Sequence, residues 1–300
     1  MFDVIIIGGG AAGLSAGLIL GRFRRSVMIC DSRQPRNAKS TGVHGFLSRD
    51  GILPQELLHI AREQLTPHST VQFSSQTVVD IVQADSHFLV HFQDGTSAPT
   101  KKILFATGVK DILPPIDGIA ELWGQAVFHC PYCHGWEVRD RALAVVANGA
   151  NAIHITKLLR ALSNDIVICT NGMSDIDTSD RRQLDHLGIN VIETPILRLE
   201  RQDTKLDGIV FTDGSFLARE ALFIRPPHEQ HSTLPAKLGC AMTEQGYIAV
   251  NELGKTSLDG VFAAGDMTSP AQQVIHAASR GAMAAAGINS ELAHEAFVVG

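Results

Sequence analysis

The stretch Val4-Ile5-Ile6-Ile7-Gly8-Gly9-Gly10-Ala11-Ala12-Gly13 decides how this chain folds. Four consecutive apolar residues predict a parallel strand buried on both faces, and the glycines that follow predict a tight turn. Leu14 to Phe23 then has the pattern of a helix, and a second apolar strand, Val27 to Cys30, ends at Asp31. Strand, Gly-x-Gly-x-x-Gly turn, helix, strand and acid together form the dinucleotide-binding fingerprint in its full context.

Each glycine of this turn has its own predicted task. Gly8 permits the tight turn, Gly10 lets a pyrophosphate approach the backbone, and Gly13 lets the helix pack closely on the strand. The helix N-terminus faces the pyrophosphate, and Asp31 accepts a hydrogen bond from a ribose hydroxyl. We therefore predict a bound dinucleotide, with a glycine-rich turn that binds no ligand as the alternative.

Length and composition narrow the class of protein. Three hundred residues with 45% hydrophobic content can form a large core and two domains. A net charge of −6 without a basic cluster argues against nucleic acid and anionic membranes as partners. Five cysteines are too few for a secreted disulfide framework in a chain of this length, and no apolar run is long enough for a membrane span. We expect a soluble, cytoplasmic protein.

A second motif, His129-Cys130-Pro131-Tyr132-Cys133-His134-Gly135-Trp136-Glu137, places two cysteines three residues apart. Pro131 has a fixed φ and no N–H, which suits the first turn of a helix, so we predict Cys130 at a helix N-terminus. The unpaired N–H groups and the dipole there favour a thiolate, which is the attacking species in thiol–disulfide exchange. Cys133, one turn away, can resolve the mixed disulfide, so we predict a redox pair.

Three other interpretations of the cysteine motif stay open. Cys-x-x-Cys-His is also the pattern of c-type haem attachment, which requires export, and we expect no signal peptide. A zinc site would need four ligands, and there is no second Cys-x-x-Cys. Alternatively, the two thiols are buried and inert.

A second βα unit begins at Ala142–Val146 and continues through Ala147-Asn148-Gly149-Ala150-Asn151-Ala152 into a helix. Its fingerprint is eroded, because Ala147 replaces the first glycine. Thr170-Asn171-Gly172 follows the next strand, where an arginine pair would be needed to hold a 2′-phosphate. The sequence therefore leaves NADPH binding uncertain.

The remaining segments give coarser expectations. Arg33 to Gly51 is polar and punctuated by glycine, which predicts a long functional loop. Gly246-Tyr247-Ile248-Ala249-Val250 has the composition of a strand, and we predict a last helix from about Ala271 to Ala286. For the tail, Leu292 to Gly300 with its Phe297, the sequence does not decide between a mobile end and a cover over a site.

The conjunction of Gly8–Gly13, the Cys130/Cys133 pair and Gly260-Val261-Phe262-Ala263-Ala264-Gly265-Asp266 resembles the low-molecular-weight thioredoxin reductases over nearly the whole chain. The Cys-x-x-Cys-His-Gly string is similar to a branch that includes gliotoxin-type dithiol oxidases. The resemblance implies an α/β fold with two Rossmann-like, three-layer nucleotide-binding domains, a discontinuous FAD domain and a homodimer. It implies an FAD-binding domain of residues 1–115 and 227–300, and an NAD(P)H-binding-like domain of residues 116–226 that carries the redox cysteines.

The resemblance also implies roles for individual residues. Cys133 corresponds to the cysteine that exchanges electrons with the flavin, and Cys130 to the one that attacks the external disulfide. His134 stands where ordinary thioredoxin reductases have an aspartate; an imidazole titrates near neutral pH, so we assign it the acid–base role, with a surface histidine capping a turn as the alternative. The implied FAD-binding residues are Gly8, Gly10, Ala11, Ala12, Gly13, Asp31, Asn37, Val79, Ala106, Thr107, Gly108, Gly265, Asp266, Gln273 and Val274.

We therefore predict an FAD-dependent thiol–disulfide oxidoreductase resembling thioredoxin reductase. Electrons would pass between the flavin, the Cys130–Cys133 pair and an external partner, either a thioredoxin-like protein or a small disulfide or dithiol. In the opposite direction the protein would be an oxidase of small dithiols that uses oxygen. A non-catalytic flavin-binding redox sensor is a third possibility. We predict no metal site.

Overall fold

The structure, a computed structural model, describes residues 1–299 and divides into two compact units. The first unit comprises Met1–Ala38, Ile52–Lys110 and the chain from His228 onward, and the second comprises Lys39–Gly51 and Asp111–Pro227. The loop 39–51, which the implied boundaries place with 1–115, packs in the second unit. Which nucleotide each unit binds stays a prediction at this point.

Strands and short or medium-length helices alternate along much of the chain. The strands are β1 (Phe2–Ile7), β2 (Val27–Cys30), β3 (Val71–Ser74), β4 (Val78–Gln83), β5 (Phe88–Phe92), β6 (Ser97–Phe105), β7 (Val109–Asp111), β8 (Val127–Phe128), β9 (Leu143–Val146), β10 (Ile166–Cys169), β11 (Asn190–Ile192), β12 (Ile196–Gln202), β13 (Lys205–Phe211), β14 (Phe216–Ala218), β15 (Ala221–Ile224), β16 (His228–Gln230) and β17 (Val261–Ala263). The α-helices are α1 (Ala11–Arg22), α2 (Pro54–Glu63), α3 (Ile119–Leu122), α4 (Pro131–His134), α5 (Gly149–Leu159), α6 (Thr178–His186), α7 (Leu234–Leu238) and α8 (Val274–Val299). Short 3-10 helices cover Trp136–Val138 and Asp266–Thr268.

The main sheet of the first unit has the order β3-β2-β1-β6-β5-β4, with β17 paired to β6. β1 lies parallel to β2 and β6 and is covered on both faces. Val4 and Ile6 pack in a core with residues of α1 and α8, whereas Ile5 and Ile7 pack in a second core with residues of β4, β5 and α7. An apolar run without alternation is the consequence of that double burial.

Helices α1 and α8 pack backbone against backbone. A Cβ atom placed on Gly281 would lie 2.0 Å from the carbonyl oxygen of Ala12, so no larger residue fits at this crossing. Because α1 follows the first strand and α8 is the last helix, this contact joins the two ends of the chain in one unit.

The second unit has its own parallel sheet, in the order β11-β10-β9-β15-β8, and a three-stranded antiparallel sheet, β12-β13-β14. A turn at Asp213-Gly214 connects β13 to β14. The cysteine motif follows the edge strand β8 directly and therefore lies at the carboxyl end of a parallel sheet, where open α/β sheets bind ligands. A mixed sheet in the first unit and a parallel sheet in the second, each combined with helices, confirm the predicted α/β fold class.

The prediction for the last helix was too short. α8 continues to Val299, because Ile288 and Leu292 are buried in the core beyond residue 286 and Lys102 pairs with Glu291 at 3.0 Å. Phe297 lies on this helix and is 87% exposed, and Gly300 lies outside the described residues. Although α8 has 26 residues, no helix within residues 1–299 is apolar enough over a sufficient length to span a membrane.

The predicted strand at 246–250 is wrong. Ile248 makes an isolated bridge to Met242, and its backbone N–H donates to the carbonyl of Met267 at 2.9 Å. The Ala249 N–H donates to Ala241 at 2.9 Å. The composition suits a strand, but loops provide the hydrogen-bond partners, so no ladder forms.

Candidate active site

The glycine turn after β1 has the backbone geometry that a pyrophosphate site needs. Gly8 has a φ of +110°, and a Cβ there would lie 2.2 Å from the carbonyl oxygen of Ala106. A Cβ on Gly13 would lie 1.9 Å from the carbonyl oxygen of Gly8. By contrast, a Cβ on Gly10 would have no described heavy atom within 4 Å. Packing therefore requires Gly8 and Gly13, whereas Gly10 borders open space.

The N-terminus of α1 presents backbone donors to that space. Gly10 is its N-cap, and among the described residues no side chain caps the helix and no acid lies in its first turn. The first N–H groups of a helix lack intrahelical partners and carry partial positive charge, so they bind phosphate well. Ala11 and Ala12 add only methyl groups beside these donors. This arrangement fits the pyrophosphate of FAD.

Asp31 follows β2, as predicted, and its carboxylate is held by two contacts. Oδ1 accepts the backbone N–H of Arg33 at 3.1 Å, and Oδ2 pairs with the guanidinium of Arg62 on α2. A Cβ on Gly9 would collide with the Asp31 side chain, so the carboxylate lies directly against the glycine turn. A carboxylate has about four acceptor positions, which leaves room for a ribose hydroxyl. No sequence pattern pointed to Arg62.

The ends of strands β6 and β17 lie beside the glycine turn. Phe105 of β6 accepts the N–H of Ala264 at 2.9 Å, which brings the segment Ala106-Thr107-Gly108 beside Gly265-Asp266. The Thr107 hydroxyl lies 3.8 Å from the sulfur of Met267. The structure thus brings together residues from the first, middle and last parts of the sequence that is predicted to bind FAD.

Arg36 is a further residue of this group that sequence reasoning missed. One guanidinium nitrogen lies 3.2 Å from Asp266 Oδ2 and 2.7 Å from Gln272 Oε1. Arg36 comes from the loop after β2, so no spacing in the sequence linked it to an aspartate 230 positions later. It neutralises the predicted cofactor-binding aspartate.

Four other predicted cofactor residues lie in the first unit. Asn37 is partly buried in the turn that contains Arg36, and Val79 lies at an irregularity in the pairing of β4 with β5. The carbonyl of Gln273 accepts the N–H of Ala277 at 2.8 Å, and Val274 begins α8. Their contacts with FAD stay predictions.

Cys130 and Cys133 form a disulfide at the start of α4. Their Cα atoms are 5.2 Å apart, Cys130 is the N-cap and Pro131 lies in the first turn, as the motif predicts. The Cys130 carbonyl accepts the N–H of Cys133 at 3.1 Å and of His134 at 3.2 Å. Both cysteines are partly accessible. A bonded, accessible pair is the oxidised form of a redox couple and not a pair of inert thiols.

The other three cysteines do not share this chemistry. Cys30, Cys169 and Cys240 are buried free thiols. Burial raises the pKa of Cys30 and of Cys169 to about 12, because the thiolate loses its hydration. They stay protonated at neutral pH, so exchange chemistry is confined to the Cys130–Cys133 pair.

His134 is held in one orientation beside the disulfide. Its ring stacks on Phe128 with centroids 4.5 Å apart, and its Nε2 lies 2.9 Å from the hydroxyl of Ser40. Burial first, and then the nearby His44 and His129, lower the pKa of His134 to about 4. The imidazole is therefore neutral at pH 7 and can accept a proton, and it is not the surface histidine of the alternative interpretation.

A second histidine, His44, contacts His134. The ring of His44 meets that of His134 edge-on at 5.9 Å, and His44 Nδ1 lies 3.4 Å from Glu137 Oε1. Ser40 and His44 both come from the loop 39–51, and Glu137 from the 3-10 helix after the cysteines. The polar composition of 33–51 indicated a functional loop, but nothing in the sequence placed it at the cysteines.

The family described as pyridine nucleotide-disulphide oxidoreductase matches residues 2–282. The chain belongs to this family. It is 31% identical to a probable thioredoxin reductase of Arthroderma benhamiae over 98% of this chain and 81% of that protein. Among solved structures, it resembles a putative thioredoxin reductase TrxB from Bacillus anthracis, with 33% identity, a TM-score of 0.93 and coverage of 98% of this chain and 99% of that one. It also resembles HlmI, with 37% identity, a TM-score of 0.94 and coverage of 99% and 94%.

These similarities confirm the predicted thioredoxin reductase-like family. They also confirm the predicted activity, because the chain combines the family fold, a site that fits FAD and a Cys130–Cys133 disulfide. This oxidoreductase is an FAD-dependent enzyme of disulfide chemistry.

The second nucleotide-like unit of the oxidoreductase is closed at the point where a pyrophosphate would bind. Asn148 caps α5: its Oδ1 accepts the N–H of Gly149 and of Asp175, each at 2.8 Å. The Asn148 amide donates to the carbonyl of Met173 at 2.9 Å and lies 3.4 Å from a carboxylate oxygen of Asp175. The helix N-terminus is thus occupied by a side chain and has an acid beside it.

The segment after β10 also lacks the features of a 2′-phosphate site. The Thr170 hydroxyl donates to the carbonyl of Gly172 at 2.6 Å, and Asn171 Oδ1 accepts the N–H of Ile196 at 2.7 Å. These side chains stabilise the loop itself. Arg181, on α6, lies 3.7 Å from Glu193.

Proposed function

We propose that this enzyme oxidises small dithiols, with electrons entering through the Cys130–Cys133 disulfide and not through a nicotinamide. The closure of α5 by Asn148 and Asp175 is the observation that carries this proposal. We also assign the first unit to FAD binding and the second unit to the redox cysteines.

The closure acts against a pyridine nucleotide in two ways. A pyrophosphate would have to displace the Asn148 cap from the N–H groups it satisfies. It would then lie near the carboxylate of Asp175, and like charges repel strongly where water is partly excluded. At the comparable N-terminus of α1 no side chain caps the helix among the described residues, and the acid beside it, Asp31, is paired with Arg62. The two helices therefore differ in whether a side chain already occupies the N-terminus.

The disulfide can accept electrons from a dithiol in two exchange steps. A substrate thiolate attacks Cys130, forming a mixed disulfide and releasing Cys133 as a thiolate. The second substrate thiolate then attacks the substrate sulfur of the mixed disulfide, which forms the substrate disulfide and releases Cys130. Two electrons and two protons have left the substrate, and the pair is reduced.

His134 is the base for these steps. Its imidazole is neutral at pH 7 because burial and two neighbouring histidines lower its pKa to about 4, which also makes it a weaker base than a free histidine. A thiolate released at the neighbouring Cys133 would favour the imidazolium by its negative charge, so the proton affinity of His134 would rise as the exchange proceeds. Gly8, Gly10, Gly13, Asp31 and Asp266 would hold FAD, which would supply the two-electron acceptor for the reduced cysteine pair, with dioxygen as terminal oxidant and hydrogen peroxide as product. The balance is dithiol plus dioxygen to disulfide plus hydrogen peroxide.

The opposite direction is the second candidate, and the names of the relatives support it. Several are called thioredoxin reductases, and such an enzyme delivers electrons to a protein disulfide. In that case Cys130 attacks the partner disulfide and forms a mixed disulfide, which Cys133 then resolves. A donor other than NADPH would then have to reduce the flavin.

Anaerobic stopped-flow spectroscopy separates these functions. The FAD-loaded protein is mixed with NADPH, NADH or dithiothreitol while the flavin absorbance is followed. We expect rapid bleaching with dithiothreitol and none with either nucleotide, and no bleaching of the Cys130→Ser variant by dithiothreitol. Fast bleaching by NADPH would reject the proposed closure, and a flavin that no reagent bleaches would indicate a sensor.

A homodimer and a cytoplasmic location, both predicted from the sequence, belong to the same proposal. Support for the dimer comes from the family resemblance alone. Light scattering after size-exclusion chromatography would give the mass directly, since the monomer is 32.3 kDa. Fluorescence microscopy of a tagged full-length chain would test the location.

A further inference from the structure

We propose that Ser40 is a positioning residue that holds His134 as the Nε2–H tautomer and thereby makes Nδ1 its basic nitrogen. This inference deepens the proposed function and rests on it, because it names the atom that takes the thiol proton. Ser40 lies 94 positions before His134 and reaches it from the loop 39–51.

The hydrogen bonds of Ser40 decide the direction of its contact with the imidazole. A serine hydroxyl has one proton. That proton is donated to the carbonyl of Gly42 at 2.7 Å, and the N–H of Gly42 points back to the Ser40 oxygen at 3.4 Å. Toward His134 Nε2, 2.9 Å away, the hydroxyl oxygen is therefore an acceptor, and the imidazole nitrogen must carry a hydrogen.

The other ring nitrogen gives an independent indication. His134 Nδ1 is buried, and no described residue offers it a hydrogen-bond partner. A proton on Nδ1 would create a buried donor without an acceptor, whereas a lone pair there is tolerated more easily. Both nitrogens therefore favour the same tautomer.

Neighbouring rings prevent the His134 imidazole from flipping, so Nδ1 and Nε2 cannot exchange places. Phe128 stacks on one face at an interplanar angle of 14°, and His44 meets the ring edge-on. The titratable groups around the ring are His44, which pairs with Glu137, and His129. Each disfavours a positive charge on His134, so the ring stays neutral and one nitrogen keeps an unprotonated lone pair.

Nuclear magnetic resonance of the resting, oxidised holoenzyme tests the tautomer without any substrate. The chain is labelled with ¹⁵N-histidine, and long-range proton–nitrogen correlations are recorded at neutral pH, with His134→Gln used to assign the signal. We expect a protonated Nε2 and an unprotonated Nδ1 in the wild type and in Thr41→Ala, which removes the exposed neighbour of Ser40. Ser40→Ala should give a mixture of tautomers, and Ser40→Thr should restore the wild-type pattern.

A wild-type spectrum with the proton on Nδ1, or with both nitrogens protonated, would overturn the inference even if every variant failed to fold. An unchanged spectrum of a folded Ser40→Ala would overturn the role of Ser40. The tautomer measurement does not depend on the proposed function, because it is made on the resting protein without any substrate. If no dithiol bleaches the wild-type flavin, the proposed function fails while the tautomer result stands.

Kinetics then connect the tautomer to the reaction. In anaerobic mixing with dithiothreitol, Ser40→Ala should lower the limiting rate of flavin bleaching roughly tenfold at neutral pH, without changing the half-saturating dithiol concentration. Ser40→Ala should have no further effect in a His134→Gln background, since it acts through that ring. Equal losses in both backgrounds would contradict a positioning role.

Discussion

The side-chain oxygen of Asn148 accepts the backbone N–H of Asp175 at 2.8 Å. The same oxygen caps Gly149 at the start of α5, so one amide ties the loop after β10 to the helix at which a second nucleotide would bind. This arrangement distinguishes the two Rossmann-like units: no side chain among the described residues caps α1, whereas Asn148 caps α5.

The first prediction concerns the stability of that closure. Asn148→Ala removes the cap and its bond to Asp175, so we expect a loss of about 1 kcal/mol in the free energy of unfolding. His154→Gln, on the exposed surface of the same helix, should change it by less than about 0.5 kcal/mol. Urea denaturation of both variants measures the difference. Equal effects would show that the Asn148 contacts contribute nothing specific.

The second prediction compares two glycines of the first turn. Gly10 has a φ of −78° and free space around its Cβ position, so Gly10→Ala should fold with wild-type stability as apoprotein. It should nevertheless bind FAD more weakly, because the methyl group occupies the space into which the pyrophosphate fits. Gly13→Ala should instead destabilise the fold by several kcal/mol, roughly the cost of overpacking a core, since its Cβ would strike Gly8.

Flavin fluorescence titration and thermal unfolding of the apoproteins distinguish these outcomes. Wild-type FAD affinity in Gly10→Ala would place the pyrophosphate elsewhere. A stable Gly13→Ala would mean that α1 can move away from the turn.

The third prediction separates the two redox cysteines. Cys133→Ser leaves Cys130 as a free thiol that can form a mixed disulfide with an oxidised substrate but cannot resolve it. Cys130→Ser leaves Cys133 in the interior turn of α4 and should yield little adduct. Both variants should lose turnover and retain FAD, because the first unit is unchanged.

Mass spectrometry after mixing with an activated disulfide, such as a thionitrobenzoate mixed disulfide, counts the adducts. A strong adduct in Cys130→Ser and none in Cys133→Ser would reverse the assigned roles.

The fourth prediction is a pH dependence of stability. The pKa of His134 is lowered from 6.5 to about 4 in the folded protein, so the unfolded chain binds a proton there more readily. Stability from this group is complete above pH 6.5 and is lost as the pH falls toward 4. At pH 5 the loss should be about 2 kcal/mol relative to pH 7.5, an order-of-magnitude value from linkage.

His134→Gln removes the titration, so its unfolding free energy should fall less between pH 7.5 and 5 than that of the wild type. His59→Gln, on an exposed position of α2, serves as the control and should follow the wild type. Parallel pH profiles of wild type and His134→Gln would mean that the imidazole is not held neutral by the fold.

Much of the first unit was predictable because its signals are local. Val4–Ile7 is apolar without interruption because both of its faces are covered, and Gly8 and Gly13 are glycines because carbonyl oxygens occupy the space of a Cβ. The helix start at Cys130 follows from Pro131 alone. Two predictions from local signals were wrong. Residues 246–250 have the composition of a strand but form only an isolated bridge at Ile248. Helix α8 extends beyond its predicted end because Leu292 is buried in the core.

The amino-acid sequence by itself determined the two Rossmann-like units, the glycine turn after β1 and the Cys130–Cys133 disulfide, because each depends on residues close together in the chain. Only the tertiary structure decided the partners of these groups: Arg62 for Asp31, Arg36 for Asp266, Asp175 for Asn148 and Ser40 for His134. Such contacts join side chains 27 to 230 positions apart. No periodicity or spacing encodes them, since they arise only when segments distant in the chain come together in the folded unit.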